Sequence, residues 1–161
     1  MSFEERSYAV FDGLQPDFRD RVTRWYEECI SEGLRLLVYC GLRSNEEQDR
    51  LYAQGRTAGG KIVTHAKAGQ SFHNYGLAID YVPVRNGKAS WDDTAGYLKA
   101  QRIAKEFNLK AISWELPHLE DGKFKNWRAI QASQNPKKTL FSPIVERIWG
   151  TRRPVGGRGL R

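Results

Sequence analysis

Between Leu14 and Ile30 the residues Leu14, Phe18, Val22, Trp25, Tyr26, Cys29 and Ile30 recur at steps of three and four, with Asp17, Arg19, Asp20, Arg21, Glu27 and Glu28 largely between them. That spacing predicts an amphipathic helix whose aromatic-rich stripe has to be buried against another layer. Pro16 near its start and Gly33 after its end are the punctuation such a helix uses. Directly behind it, Leu34 to Tyr39 (LRLLVY) reads as a buried strand, so helix and sheet belong to one core.

The rest of the chain continues the mixture. Ser44 with Glu47 forms a candidate capping box for a helix through Gln48, Leu51 and Tyr52 to Gly55. Arg56 to Gly69 has no useful periodicity and reads as a long loop, a kind that is often functional. Gly76 to Val84 contains a short strand with Leu77 and Ile79 on one face and Ala78 and Asp80 on the other. Thr94 to Phe107 is helical, with Tyr97, Leu98, Ile103, Ala104 and Phe107 as its apolar side. Lys110 to Trp114 is a strand leading into Glu115 to Glu120, and Lys125 to Ser133 is a further helix. The expectation is an α+β fold, a single compact domain with a small antiparallel sheet flanked by helices.

At 161 residues and 40% hydrophobic content, there is material for one sizeable core and little room for a second. Residues 1–150 are therefore expected to form the domain, and the Arg-, Gly- and Pro-rich stretch 151–161 (TRRPVGGRGLR) a basic, flexible tail. No apolar run approaches a membrane span, and Glu4 and Glu5 stand where a signal peptide would be basic and then hydrophobic. This predicts a soluble chain made without a cleavable signal. Two cysteines, Cys29 and Cys40, are too few for a disulfide framework and are expected to be buried free thiols. The net charge of +7 implies attraction to polyanions, but charge alone does not choose among nucleic acid, anionic lipid and bacterial envelope polymers, and no nucleic-acid recognition motif appears. Trp91, Trp114, Trp127 and Trp149 are expected mainly in the core, with sugar stacking as the other use of such side chains. His65, in the polar loop, is expected to be an exposed loop residue, with closure over a substrate as the other reading.

The chemistry lies in two short segments. In Ser71-Phe72-His73-Asn74-Tyr75-Gly76-Leu77-Ala78-Ile79-Asp80, a tight turn at Gly76 would let His73 and Asp80 converge on one ion. In Ser113-Trp114-Glu115-Leu116-Pro117-His118, a carboxylate three residues before an imidazole offers a further ligand and a base. A catalytic zinc wants a few nitrogen and oxygen ligands and an open position for water, and a nearby carboxylate can move the proton. Either fragment alone also fits a hydrogen-bonded structural pair. Their joint presence points to metal-assisted hydrolysis of a peptide bond.

The SxHxxGxAxD stretch with the later acid-x-x-His resembles the family of zinc D,D-carboxypeptidases, D,D-dipeptidases and L-alanyl-D-glutamate endopeptidases, the VanY-like wall hydrolases. The resemblance runs from about Leu36 to Glu120. It includes Gly41-Leu42-Arg43-Ser44, Glu47-Gln48, Leu51-Tyr52 and Gln54-Gly55-Arg56-Thr57 upstream, and Gly69-Gln70-Ser71-Phe72-His73-Asn74-Tyr75-Gly76 in the core motif. It implies a hedgehog/DD-peptidase-like fold, with His73, Asp80 and His118 as zinc ligands and Glu115 as general base. Arg43 would stabilise the oxyanion or hold the substrate carbonyl, and Ser71 and Gln48 would shape or support the substrate pocket. The chain departs from many endopeptidase relatives in two ways. It runs from Trp114 straight into Glu115 without a Gly-rich insertion, and it has Glu115 where Asp is common. The activity implied is hydrolysis of peptidoglycan stem peptides between L-alanine and D-glutamate by a monomeric, phage-type endolysin held in the host cytoplasm until lysis. A D-alanine-trimming carboxypeptidase or dipeptidase is the alternative within the same chemistry, and a non-catalytic zinc or wall-binding module the alternative outside it. A structural zinc needs no base, so Glu115 speaks against the last.

Overall fold

The computed structural model describes residues 1–134. The boundary expected at residue 150, the tail beyond it and Trp149 lie outside the described residues. Residues Met1–Trp127 form one compact unit, which carries the features discussed below.

The chain opens with α1 (Phe3–Phe11), a helix beyond those expected from the sequence. Its signal was a capping box at the extreme N-terminus: Ser2 Oγ accepts from Glu5 N–H at 3.1 Å, and Glu5 Oε2 accepts from Ser2 N–H at 2.6 Å. The amphipathic helix follows as α2 (Pro16–Ser31), where Phe18, Val22, Trp25, Tyr26 and Cys29 lose all solvent contact. Gly33 stands just beyond it at φ +72°. Polar atoms on this stripe are matched as well, since Trp25 Nε1–H donates to Ala100 O (3.0 Å) and the Tyr26 hydroxyl to Leu36 O (3.0 Å).

Strand β1 (Leu36–Cys40) leads through Ser44 into α3 (Asn45–Ala53). Ser44 caps that helix, but the reciprocal half of the expected box is absent because the Glu47 carboxylate pairs with Arg50 instead. After the loop come β2 (Ala78–Arg85) and β3 (Lys88–Ala89), a hairpin turned by Asn86-Gly87 at φ +49° and +72°. An Asn-Gly pair is the residue choice for such a turn, a signal available in the sequence and not used. Helix α4 (Thr94–Ala104), a 3-10 turn (Lys105–Phe107), β4 (Leu109–Ile112), β5 (Glu115–Asp121) and α5 (Trp127–Gln134) complete the order.

The sheet is antiparallel in the order β1-β2-β5-β4, with β3 beside β2. Strand β1 lies at one end of this order, and its Val38 N–H is taken by the buried Ser7 hydroxyl of α1 (3.0 Å) instead of facing water. Along β2, residues 78–84 are all buried, so neighbours cover both the Ile79 face and the Ala78/Asp80 face. One expectation needs correction. On α4, Leu98 is exposed and Ala100 takes its place on the buried stripe beside Tyr97, Ile103 and Ala104. The expected α+β architecture with a small antiparallel sheet is the one observed, and no described helix is long and apolar enough to cross a membrane.

Candidate metal centre

His73 sits in a 3-10 turn (Phe72–Tyr75) that its neighbours hold in place. Ser71 Oγ accepts from His73 N–H (3.3 Å), and the Asn74 amide donates to Arg43 O (3.1 Å) while accepting from Gly69 N–H (3.1 Å). Gly76 ends the turn at φ +64°, where a Cβ would meet Gly13 O at 2.9 Å and Gln15 N at 3.2 Å. Only glycine accepts that backbone without strain in so little space. The chain then enters β2, where Asp80 lies directly opposite His118 of β5.

The three side chains converge. Asp80 Oδ1 is 3.3 Å from His73 Nε2 and 3.1 Å from His118 Nδ1, and all three residues are buried. The remaining ring nitrogens are also engaged: His73 Nδ1 lies 2.8 Å from Gly41 O, and His118 Nε2 lies 3.5 Å from Glu120 Oε2. A carbonyl and a carboxylate can only accept, so they hold N–H on the far side of each ring and direct Nε2 of His73 and Nδ1 of His118 toward Asp80. Glu120 is itself gripped by Lys110 Nζ at 2.8 Å.

Electrostatics follow from this packing. Burial works against charge on His73, yet the hydrogen bonds to Asp80 and Cys40 outweigh it and raise its pKa to about 9. For His118, burial is likewise overcome by hydrogen bonds to Asp80 and Glu120, and its pKa is raised. Asp80 is pulled down against its own burial by the two imidazoles. Without a metal, protons therefore occupy the space between one carboxylate oxygen and two imidazoles. A divalent cation fits the same space and the same charge, and two nitrogens with one carboxylate are a donor set suited to zinc.

Glu115 completes the cluster: its carboxylate and the ligand atoms of Asp80 and His118 all lie within 4.8 Å of one another. In a regular strand, residues three apart point to opposite faces. Here the register breaks, with Ala111 paired to Leu119 and the next residue, Ile112, to Glu115, so residues 116–118 bulge out of the β4–β5 ladder. This irregularity allows exposed Glu115 and buried His118 to address one space.

Arg43 reaches the same space. Its Nη2 is 3.5 Å from Asp80 Oδ2, and it lines a cavity of about 220 Å³ with Ser71, His73, Asp80, Glu115 and His118. Gln48 does not line that cavity. It is fully buried behind Arg43, accepting from Arg43 Nη1 (3.0 Å) and donating to Ala66 O (2.7 Å), so its place is that of a brace. Other expectations shift similarly. Cys29 is a buried free thiol, but half-buried Cys40 lies against the site, with Sγ 3.3 Å from Arg43 Nη2 and 3.8 Å from His73 Nδ1. Cys40 and His73 also group with Asp80, yet His73 Nδ1 is already committed to the nearer Gly41 O, which favours the Asp80-facing side for an ion. Trp91 and Trp114 are 62% and 81% exposed and are not core residues; Trp127 is half-buried. Exposed His65 lines a second, larger cleft of about 420 Å³ that shares Ser71, Glu115 and His118 with the first. Cys40 and Glu120 are the residues near the site that sequence reasoning missed. Glu120, two positions after His118, carried a weak signal; Cys40 carried none.

Residues 12–123 match the family described as VanY, D-alanyl-D-alanine carboxypeptidase. The chain belongs to this family. It is thus a VanY-family peptidase, and a curated relative agrees: the peptidoglycan L-alanyl-D-glutamate endopeptidase CwlK of Bacillus subtilis (strain 168) is 38% identical over 121 residues, covering 66% of this chain and 72% of CwlK. Solved structures share the VanY-family fold. The L-Ala D-Glu endopeptidase ChiX of Serratia marcescens matches with a TM-score of 0.53 and 21% identity, over 71% of this chain and 85% of that one. A vancomycin resistance D,D-pentapeptidase VanY in complex with Zn(II) matches with a TM-score of 0.53 and 16% identity, over 79% and 83%. The LD-carboxypeptidase LdcB matches with a TM-score of 0.55 and 20% identity over 77% of this chain, which spans 64% of the LdcB chain.

Proposed function

We propose that this peptidase hydrolyses the bond between L-alanine and D-glutamate in peptidoglycan stem peptides, with zinc held by His73 Nε2, Asp80 and His118 Nδ1. The observation that carries the reading is the convergence of those atoms beside an exposed carboxylate, Glu115, in a cavity that opens into a larger cleft. Bound there, zinc supplies Lewis-acid polarisation of a carbonyl and a more acidic water. Glu115 takes a proton from the attacking water and returns it to the leaving amine. Arg43, fixed by Gln48, faces developing negative charge on the carbonyl oxygen. Gly41 O and Glu120 keep the two imidazoles in the required orientation.

The 38% identity to an L-alanyl-D-glutamate endopeptidase supports this bond over trimming of D-alanine, and the larger cleft leaves room for substrate beyond the scissile bond. We assign the protein, by the same reading, the role of a monomeric phage-type endolysin, kept in the host cytoplasm before lysis. The charge of +7 suits an anionic wall. Mass spectrometry of purified peptidoglycan, treated with and without chelator and zinc restoration, tests the reading. Chelator-sensitive release of peptides beginning at D-glutamate is the expected result; free D-alanine would establish the carboxypeptidase instead, and unchanged wall a binding module. Glu115→Gln should retain zinc and lose nearly all turnover, and substantial residual activity would remove Glu115 from the role of base.

A further inference from the structure

The larger cleft carries charge that the proposed chemistry does not use. Glu115 and Glu120 lie on its wall beside His118, and an unpaired carboxylate there repels an anion. Two lysines line the same cleft, Lys110 and Lys125. Lys110 is committed, since its ammonium lies 2.8 Å from Glu120 Oε1 and serves to neutralise that carboxylate. Lys125 is exposed and has no ion-pair or hydrogen-bond partner among the described residues. The cleft that Glu115 and His118 line therefore also carries an uncommitted cation, with exposed Trp114 and half-buried Trp127 as apolar wall.

We infer that Lys125 binds a carboxylate of the substrate, and that this carboxylate belongs to the D-glutamate next to the scissile bond. The inference rests on the proposed endopeptidase reading. A glutamate joined through its amine and one carboxyl retains a second, free carboxyl, so every L-alanyl-D-glutamate substrate places an anion close to the bond unless that carboxyl is amidated. Such an anion would be disfavoured by Glu115, since Lys110 already neutralises Glu120. Lys125 converts the disfavoured neighbour into a recognised one, and makes amidation of the glutamate a determinant of specificity. The other source of the same chemistry is the carboxyl terminus of a peptide being trimmed.

The test measures binding and cleavage separately. Zinc-loaded Glu115→Gln protein, with and without Lys125→Ala, is titrated calorimetrically with two pairs of stem peptides: D-glutamate against its side amide, and a free D-alanyl terminus against its amide. The D-glutamate carboxylate should bind roughly fivefold more tightly than its amide, the size expected of one partly exposed charge pair, and Lys125→Ala should erase that difference while Lys125→Arg retains it. The same preference should appear as a change in KM with little change in kcat in the protein that retains Glu115. A Lys125-dependent preference in the terminal pair alone would overturn the assignment to D-glutamate. Equal affinity for acid and amide in both pairs, or a preference that survives Lys125→Ala, would overturn the subsite. Product masses from the active protein decide the scissile bond independently, so loss of the endopeptidase reading and loss of the Lys125 subsite give different results.

Discussion

Gln48→Leu separates bracing of Arg43 from simple filling of the core. Gln48 has no solvent exposure, accepts from the Arg43 guanidinium at 3.0 Å and donates to Ala66 O at 2.7 Å, so it ties α3, Arg43 and the 56–69 loop together. Leucine keeps much of the volume and removes both bonds. Losing a hydrogen bond to a charged donor costs about 1.5–3 kcal/mol, and leaving the half-buried Ala66 carbonyl unpaired adds a cost in the lower part of about 1–3 kcal/mol. The added apolar carbon offsets about 1 kcal/mol. A net loss of roughly 2–4 kcal/mol would lower the urea midpoint by about 1–2 M for a domain of this size. Because Arg43 then keeps only its looser contacts with Asp80 and Cys40, kcat/KM should fall about tenfold under conditions where the variant remains folded and zinc-loaded. Gln48→Glu keeps an acceptor for Arg43 and loses the donor to Ala66, so it should recover more of kcat/KM than of stability. Lowered stability with unchanged kcat/KM in Gln48→Leu would refute the bracing argument.

Glu120→Ala should weaken zinc binding about 10- to 100-fold, measured by competition with a chromophoric chelator, while Glu120→Gln, which still offers an oxygen to His118, should recover most of it; equal affinity in all three proteins would remove Glu120 from this role. Zinc binding at pH 7.5 should release protons, because His73, raised from 6.5 to about 9, is protonated in the metal-free protein; calorimetry in buffers of different ionisation enthalpy would expose a zero release. The folding consequence has two limbs. The raised His73 contributes stability that is complete below pH 6.5 and lost as pH rises through about 9, and the lowered Asp80 contributes stability present above pH 3.8 and lost as pH falls. Metal-free protein should therefore resist urea best between about pH 4 and 6.5, and a maximum above pH 9 would contradict the pairing. Gly76→Ala should destabilise by at least about 2 kcal/mol, from the left-handed backbone and the contact with Gly13 O, whereas Gly59→Ala, with open space around it, should be near neutral in the same unfolding assay.

Local patterns determined much of this protein. The three- and four-residue spacing from Leu14 to Ile30 was enough to locate α2, because a stripe of aromatic and aliphatic side chains has one helical face to occupy. The pairing of the two segments that hold His73, Asp80, Glu115 and His118 pointed to a metal, and the resemblance to the VanY-like hydrolases gave each residue its role. The Ser2–Glu5 box and the Asn86-Gly87 turn were equally local, and reading them required only the capping and turn rules. Tertiary structure decided what depends on partners distant in sequence. Leu98 and Trp114 are apolar yet exposed, because burial depends on which surfaces neighbouring elements leave uncovered. Cys40 came to lie against His73, 33 residues on, and Gln48 against Ala66, 18 residues on, only when β1, α3 and the loop were brought together, and Glu120, in the same strand as His118, is held by Lys110 across β4 and β5. Spacing along a chain states which groups are available; the bulge at residues 116–118 and the register placing Asp80 opposite His118 set which atoms meet. The Asp80–His118 contact arises from pairing between strands far apart in the chain, which no short window of sequence contains.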